Sequence, residues 1–280
     1  MNNVALMVSN VSKSYGKRTV LDSLNLTIHK GSFVTLLGSS GSGKSTLFRC
    51  ITGLDPIDSG RIVAFGESKS VHELTSAQLC QHRRDIGFVF QQFNLIKRFT
   101  AYENVLGACL ASTPFWRVVF RNFSKNDRRL ALECLDRVGM LSFANTPVQK
   151  LSGGQQQRIA VARMLAQKPK LIIADEPVSS LDPVTAASVL KTLKTAASEN
   201  NVAVLCSLHQ VELAIDVADH IIGIKGGRVR LDLANDPEDH EMGNKITSLY
   251  ERVIGESSDS ELGASRKLAP HSACRAARIA

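Results

Sequence analysis

The sequence predicts an α/β fold: a mostly parallel sheet carrying a phosphate-binding loop, an antiparallel β layer ahead of it, and a helical lobe inserted into it. Three observations carry this prediction. The apolar run Phe33, Val34, Thr35, Leu36, Leu37 leads directly into Gly38-Ser39-Ser40-Gly41-Ser42-Gly43-Lys44-Ser45-Thr46, a glycine-rich loop that opens a helix. A second apolar run, Leu171, Ile172, Ile173, Ala174, ends in Asp175-Glu176, as a strand buried on both faces requires. Between the two, residues 94–168 lose the short-strand character and carry apolar residues at helical spacing.

Each element follows in order. Short β-rich runs at 4–8, 19–21, 24–28 and 33–37, punctuated by Tyr15-Gly16 and Lys30-Gly31, predict an antiparallel layer feeding the central strand before Gly38. A helix opens at Gly43 with Leu47, Ile51 and Leu54 inward and Gly53 as its stop signal. Residues 61–65 and 86–90 are further strands. In the helical lobe, Ala131, Cys134, Leu135 and Val138 share one face. Asp182-Pro183 is an N-cap with proline at the first helical position, followed by Ala186, Val189, Leu190, Leu193 and Ala197 on one face. Residues 202–206 and 221–224 complete the parallel strands, and Gly226-Gly227 turns a terminal hairpin. The expected organisation is one domain over 1–235, its core at 1–93 and 169–235 and its helical subdomain at about 94–168. A C-terminal helix at 236–255 and a disordered tail at 256–280, rich in Ser, Ala and Arg, complete it.

Composition excludes several classes. At 280 residues and 44% hydrophobic, the chain can bury one sizeable core with a subordinate lobe. No run approaches the roughly 18 apolar residues of a membrane helix, and the N-terminus lacks a basic start and apolar stretch. The expectation is a chain on the cytosolic side that meets a bilayer only peripherally or through a partner. Cys50, Cys80, Cys109, Cys134, Cys206 and Cys274 show no metal-ligand or disulfide-framework spacing and read as reduced thiols. The formal charge of +8 is compatible with an anionic membrane face or with nucleic acid.

The chemistry starts at the loop. Gly38, Gly41 and Gly43 let backbone N–H groups curl around an anion, with Ser39, Ser40, Ser42 and Thr46 completing the cradle. Lys44 reaches the β- and γ-phosphates and the Ser45 hydroxyl takes a place on Mg²⁺. Asp175, at the end of a buried strand, holds the same Mg²⁺ through its water shell, and Glu176 polarises the attacking water.

Together with Tyr15, Gln91 after Val89-Phe90, Leu151-Ser152-Gly153-Gly154-Gln155, Ser180-Leu181-Asp182 and His209, these segments resemble the ATP-binding subunit of an ABC transporter up to about Leu233. The resemblance implies an ATPase that binds ATP and Mg²⁺ and closes as a homodimer around two nucleotides. Tyr15 would stack on adenine, a contact worth about 1 kcal/mol. Ser152, Gly153, Gly154 and Gln155 would face the γ-phosphate held by the opposite subunit. Gln91 would touch Mg²⁺ or the attacking water and sense nucleotide for the lobe. His209 would bond the γ-phosphate and orient Glu176. Asp182 would act across the dimer as well as capping its helix.

The chain contains no translocation path, so the resemblance implies separate integral membrane permease subunits and a place on the cytoplasmic face of the inner membrane. Two segments, Phe115-Trp116-Arg117-Val118-Val119-Phe120-Arg121-Asn122-Phe123 and Ser207-Leu208-His209-Gln210-Val211, resemble the phosphonate-import subgroup. That implies an indirect periplasmic phosphonate-binding partner, with the Trp116 insertion helping to dock the permease. Arg83, Arg84, Lys97, Arg98, Arg117 and Arg121 could face anionic headgroups there, each worth about 1 kcal/mol, or form a solvated face. The alternatives are an ABC ATPase for polar amino acid import or for lipoprotein or macrolide export. A nucleic-acid ABC ATPase is disfavoured, because no coiled coil or zinc module lies between Gly43 and Leu151 and 280 residues leave no room for a second cassette.

Overall fold

A computed structural model describes residues 3–90, 93–112, 123–179, 181–236 and 240–254. Gln91, Ser180, the 113–122 stretch with Trp116, and the 255–280 tail with Cys274 lie outside the described residues. Two sheets organise the chain, one of three strands and one of six.

The small sheet is antiparallel and built from β1 (Val4–Tyr15), β2 (Arg18–His29) and β4 (Ser59–Ala64). Here the structure departs from the sequence reading. The separate runs expected at 4–8, 19–21 and 24–28 are stretches of two long strands, each interrupted by a bulge. Asn10 and Ser23 both take left-handed backbone, φ 50, and an amide exchange stabilises the irregularity. The Asn10 N–H donates to Asn25 Oδ1 at 2.8 Å, and Asn25 Nδ2 donates to Asn10 Oδ1 at 3.0 Å and to the Ser23 carbonyl at 2.9 Å. A bulge adds one residue and so exchanges the faces of the strand. Leu6 and Val8 are buried before it, Val11 and Lys13 after it. Gly60 of β4 presses on the bulge: a Cβ there would stand 2.3 Å from the Asn10 carbonyl oxygen.

In the large sheet, β3 (Phe33–Leu37), β5 (Ile86–Val89), β6 (Leu171–Asp175), β7 (Ala203–Leu208) and β8 (His220–Lys225) run parallel, and β9 (Arg228–Ala234) returns antiparallel to β8. Every residue of β3 is buried, because helices or the small sheet cover both of its faces. Gly226 and Gly227 have φ 58 and 75, the pair of positive values that a tight hairpin between β8 and β9 requires. Gly227 also lets that hairpin touch the small sheet, since a Cβ would meet the Val20 carbonyl oxygen at 2.3 Å.

The helices are α1 (Lys44–Ile51), α2 (Ser76–Arg84), α3 (Ala101–Leu106), α4 (Lys125–Arg137), α5 (Gly153–Ala166), α6 (Pro183–Asn200), α7 (Val211–Val217) and α8 (His240–Ile254). Side-chain caps start most of the longer ones: Thr75, Thr100, Ser124, Ser152 and Asp182 each accept a bond from the third residue of their helix, satisfying a donor the helix leaves free. α1 ends where Gly53, φ 66, takes the left-handed turn, with Gly53 N bonding Cys50 O and Leu54 N bonding Arg49 O. That turn throws Leu54 outward, 50% exposed. The helical period alone, continued past the Gly53 stop signal, puts Leu54 inward, and the turn overrides it.

The core divides over the two faces of the large sheet. Phe33, Leu37, Ile172, Ala174, Val204 and Cys206 join one cluster with the buried faces of α3, α4, α5 and α6. Val34, Leu36, Leu171, Ile173, Ala203 and Leu205 join the other with α1 and the small sheet. Truncating a fully buried residue such as Leu36 to alanine costs about 2–5 kcal/mol. No helix among the described residues is long and apolar enough to cross a membrane.

Candidate functional site

The site forms where β3, β6 and β7 deliver their carboxyl ends beside the start of α1. Leaving β3, the chain turns through Gly41, φ 79, and Gly43, φ 108. Gly38 has no room for a side chain, because a Cβ would stand 2.5 Å from the Ile224 carbonyl oxygen and 2.7 Å from Ser42 Oγ. Lys44, the first residue of α1, is buried and folds back on its own loop, Nζ donating to the carbonyls of Gly38 at 2.6 Å and Ser39 at 3.2 Å. Burial pushes its pKa down, and Glu176 and Asp175 oppose that shift. The Ser42 hydroxyl is buried without a protein partner. Loop, hairpin and acid together line a cleft of about 370 Å³ that contains Tyr15, Arg18, Ser40, Gly41, Ser42, Gly43, Lys44, Ser45, Thr46 and Glu176.

The acidic side is one continuous line of contacts. Asp175 Oδ2 accepts from Ser45 Oγ at 3.0 Å, and Asp175 Oδ1 accepts from Ser207 Oγ at 2.9 Å. Glu176 sits in the left-handed region, φ 48, which a non-glycine residue adopts only when its surroundings hold it there. Its N–H donates to Ser207 Oγ at 2.9 Å, and its Oε1 lies 2.5 Å from His209 Nε2. A hydroxyl and a carboxylate 3.0 Å apart at the mouth of an anion cradle are hard oxygen donors of the kind Mg²⁺ takes. Among the described residues no three His, Cys, Asp or Glu side chains gather as a metal cage. This donor set fits an ion that completes its shell with phosphate oxygens and water.

Tyr15 stands at the open end of the cleft, 48% exposed. Its hydroxyl donates to Asp55 Oδ2 at 2.5 Å, and Arg49 of α1 binds the same carboxylate through Nε at 2.7 Å and Nη2 at 2.9 Å. The ring is thereby tied to the helix that the phosphate loop opens. Lys13 Nζ lies 5.3 Å from its centroid. The Arg49 guanidinium, and then the Tyr15 hydroxyl, hold the Asp55 carboxyl down at about 2, while the bond to Asp55 raises the Tyr15 phenol.

Other predicted residues lie away from this cleft. Ser152 caps α5 and exchanges bonds with Gln155, 2.9 Å from the Ser152 N–H to Gln155 Oε1 and 3.3 Å from the Gln155 N–H to Ser152 Oγ. Gly153 is exposed in the first turn of that helix, and a Cβ on it would meet nothing within 4 Å. A Cβ on Gly154 would make ordinary contacts with Leu181 and Thr185 at 3.5 and 3.6 Å. None of these four residues lines the cleft. Asp182 uses its carboxylate as the cap of α6, accepting from the Thr185 N–H at 3.0 Å. Gln91, expected at Mg²⁺ or the attacking water, lies outside the described residues, as does Trp116; Phe123 packs against the core. Among the cysteines of the described residues only Cys80 is exposed, and burial pushes Cys50 and Cys134 up to about 11.

Three residues with a place in this site escape a motif reading: Arg18, Asp55 and Ser207. Arg18 follows a turn with no pattern of its own, and the other two depend on register and tertiary contact. A larger groove of about 690 Å³ lies between α2, β5 and the helical lobe, its wall including Arg84, Phe88, Phe90, Ile96, Phe99 and Leu110. Arg83 also borders this groove and is engaged with the carbonyls of Thr52 and Gly53.

Comparison with known proteins bears on the family and the fold. Residues 21–179 match the family model described as ABC transporter. The chain is 66% identical to the hypophosphite import ATP-binding protein HtxD of Stutzerimonas stutzeri, over 83% of this chain and 67% of that protein. It is 45% identical to the phosphonates import ATP-binding protein PhnC of Frankia casuarinae, over 85% of this chain and 93% of that one. Among solved structures, a dimeric ATP-binding cassette in a post-hydrolysis state with ADP and Pi superposes with TM-score 0.71 at 36% identity, covering 82% of this chain and 99% of that one.

Proposed function

The chain belongs to the ABC transporter family, and from that premise we propose that it is the ATP-hydrolysing subunit of a phosphonate importer, acting as a dimer under a separate permease. The family's ATP-binding proteins are ATPases that form dimers and work with membrane permease components. The observation that carries the hydrolytic part is the line of contacts Ser45, Asp175, Ser207, Glu176, His209 running along the phosphate cradle.

On this reading the loop N–H groups and the start of α1 hold the phosphates. Lys44 exchanges its bonds to the Gly38 and Ser39 carbonyls for phosphoryl oxygens. Glu176 orients a water whose oxygen attacks the γ-phosphorus as the bond to the β-phosphate oxygen breaks; ADP leaves with that electron pair and the water's proton passes to the carboxylate. His209 keeps the Glu176 carboxylate aimed. Ser45 and Asp175 would hold Mg²⁺, which when bound neutralises charge on the β- and γ-phosphate oxygens. Gln91 belongs to the same centre by resemblance alone.

The dimer is supported by Ser152, Gly153 and Gly154, which lie outside their own cleft and present the N-terminus of α5 to solvent. In a head-to-tail pair each would complete the partner's site, with Asp182 near the seam. The groove of about 690 Å³, apolar with an arginine rim, suits a permease segment at the cytoplasmic face of the inner membrane, and a periplasmic binding protein would act through that permease. For substrate, the 115–123 and 207–211 segments and the 45% identity to a phosphonates protein support phosphonates. The 66% identity to a hypophosphite protein supports a second reading, hypophosphite.

Glu176→Gln is expected to bind ATP and accumulate as a dimer on size exclusion, with turnover reduced about 10²- to 10⁴-fold. Hydrolysis at the wild-type rate would remove Glu176 from its role. Ser152→Arg is expected to keep ATP binding and lose hydrolysis, and an active monomer would overturn the shared sites. Growth with a phosphonate or with hypophosphite as sole phosphorus source, with and without the gene, separates the two substrates; growth on both without it rejects both.

A further inference from the structure

We propose that Ser207 is a positioning residue of the hydrolytic centre, locking the Asp175 carboxylate and the Glu176 backbone in one arrangement. The inference rests on the reading of Asp175 and Glu176 as the ion-holding and water-orienting acids. β7 lies between β6 and β3, and its register sets Ser207 opposite Asp175 on one side and Leu36 on the other. The side chain is completely buried. It shares a strand face with Ala203 and Leu205, which pack toward α1, while Cys206 and Leu208 face the opposite cluster.

A hydroxyl in such a position is unfavourable unless it is bonded, and this one is used in both directions. It donates to Asp175 Oδ1 and accepts the Glu176 N–H, each at 2.9 Å. The first bond leaves the other oxygen, Oδ2, turned to Ser45. The second holds Glu176 where its backbone is left-handed, a conformation that needs an external hold. Two residues further on, His209 takes the Glu176 side chain. The end of β7 therefore grips Glu176 twice, by its amide and by its carboxylate, and sets the direction of its neighbour.

The test uses the full chain with Ser207→Ala and Ser207→Thr. Affinity for a fluorescent ATP analogue is measured in EDTA and across a Mg²⁺ titration, with kcat and the thermal midpoint alongside. Removal of such an outer partner typically costs about 10- to 100-fold in metal affinity or activity. Ser207→Ala is accordingly expected to shift the Mg²⁺ midpoint and kcat by about that much, with nucleotide affinity in EDTA unchanged. Ser207→Thr, which keeps the hydroxyl, is expected to restore most of both. Wild-type Mg²⁺ dependence and kcat in Ser207→Ala overturn the proposal. So does a loss of thermal midpoint and EDTA affinity in step with kcat, which would make Ser207 a packing contact. Glu176→Gln run in parallel keeps the two readings apart: if it turns over normally, the role of Glu176 falls, while the Mg²⁺ titration still decides whether Ser207 positions Asp175.

Discussion

The two glycine-rich segments of this chain are held to their composition by opposite means. In the phosphate loop the constraint is internal. Gly43 has φ 108, and a methyl on Gly38 would collide with the Ile224 carbonyl of the neighbouring strand, so the fold alone excludes larger residues. At the start of α5 nothing in the chain objects to a side chain on Gly153: it lies in a helical turn, exposed, with open space where a Cβ would go. Gly153 is therefore not required by its own fold, which leaves the surface there open to a group arriving from outside. The contrast is the one expected if, as proposed, the first segment serves this chain's nucleotide and the second the partner's.

Substitutions can break this contrast. Gly38→Ala is expected to have the largest effect: overpacking of about 1–3 kcal/mol and loss of detectable ATP binding by equilibrium titration of the isolated chain. Gly153→Ala is expected to leave stability within about 0.5 kcal/mol and ATP binding unchanged, yet to lower hydrolysis about tenfold if one dimer-spanning contact of about 1.4 kcal/mol is lost. If Gly153→Ala instead unfolds or loses ATP binding as Gly38→Ala does, the contrast is wrong. Tyr15→Ala sharpens the boundary of the first site, weakening ATP about fivefold for a ring contact of about 1 kcal/mol, with less effect on a triphosphate lacking a base.

The smallest expected effect is a pH dependence of the clamp behind that ring. Asp55 has its folded pKa depressed from 3.8 to about 2 by Arg49 first and Tyr15 second. A depressed carboxylate contributes stability that is fully present above its unfolded pKa and is lost as pH falls through the folded one. The contribution should therefore fade between pH 3.8 and about 2, and acid denaturation of Asp55→Asn should lack that component.

Strand and motif chemistry carried most of the architecture, because the signals were local: an all-apolar run at 33–37, another at 171–174, and Asp182-Pro183 opening α6. Local pattern and tertiary structure part company at a few places. Leu54 obeys the helical period of α1 and still faces outward, since Gly53 ends the helix first. The two bulges have no signature, because Asn10 and Ser23 are unremarkable residues until Asn25 ties them. Ser207 was visible only as a neighbour of His209. Its partnership with Asp175 and Glu176 exists in the pairing of β6 with β7, and pairing is not written along either strand.

The bulge at Asn10 acts as a phase shifter for the residues downstream of it. Without the extra residue, the alternation that buries Leu6 and Val8 would carry Ser12 and Ser14 inward and turn Tyr15 to the opposite face; with it, Tyr15 shares the side of Val11 and Lys13. A single-residue deletion among the exposed positions around Asn10 would thus act as a frameshift of faces, moving the aromatic end of the cleft without touching any residue that lines it.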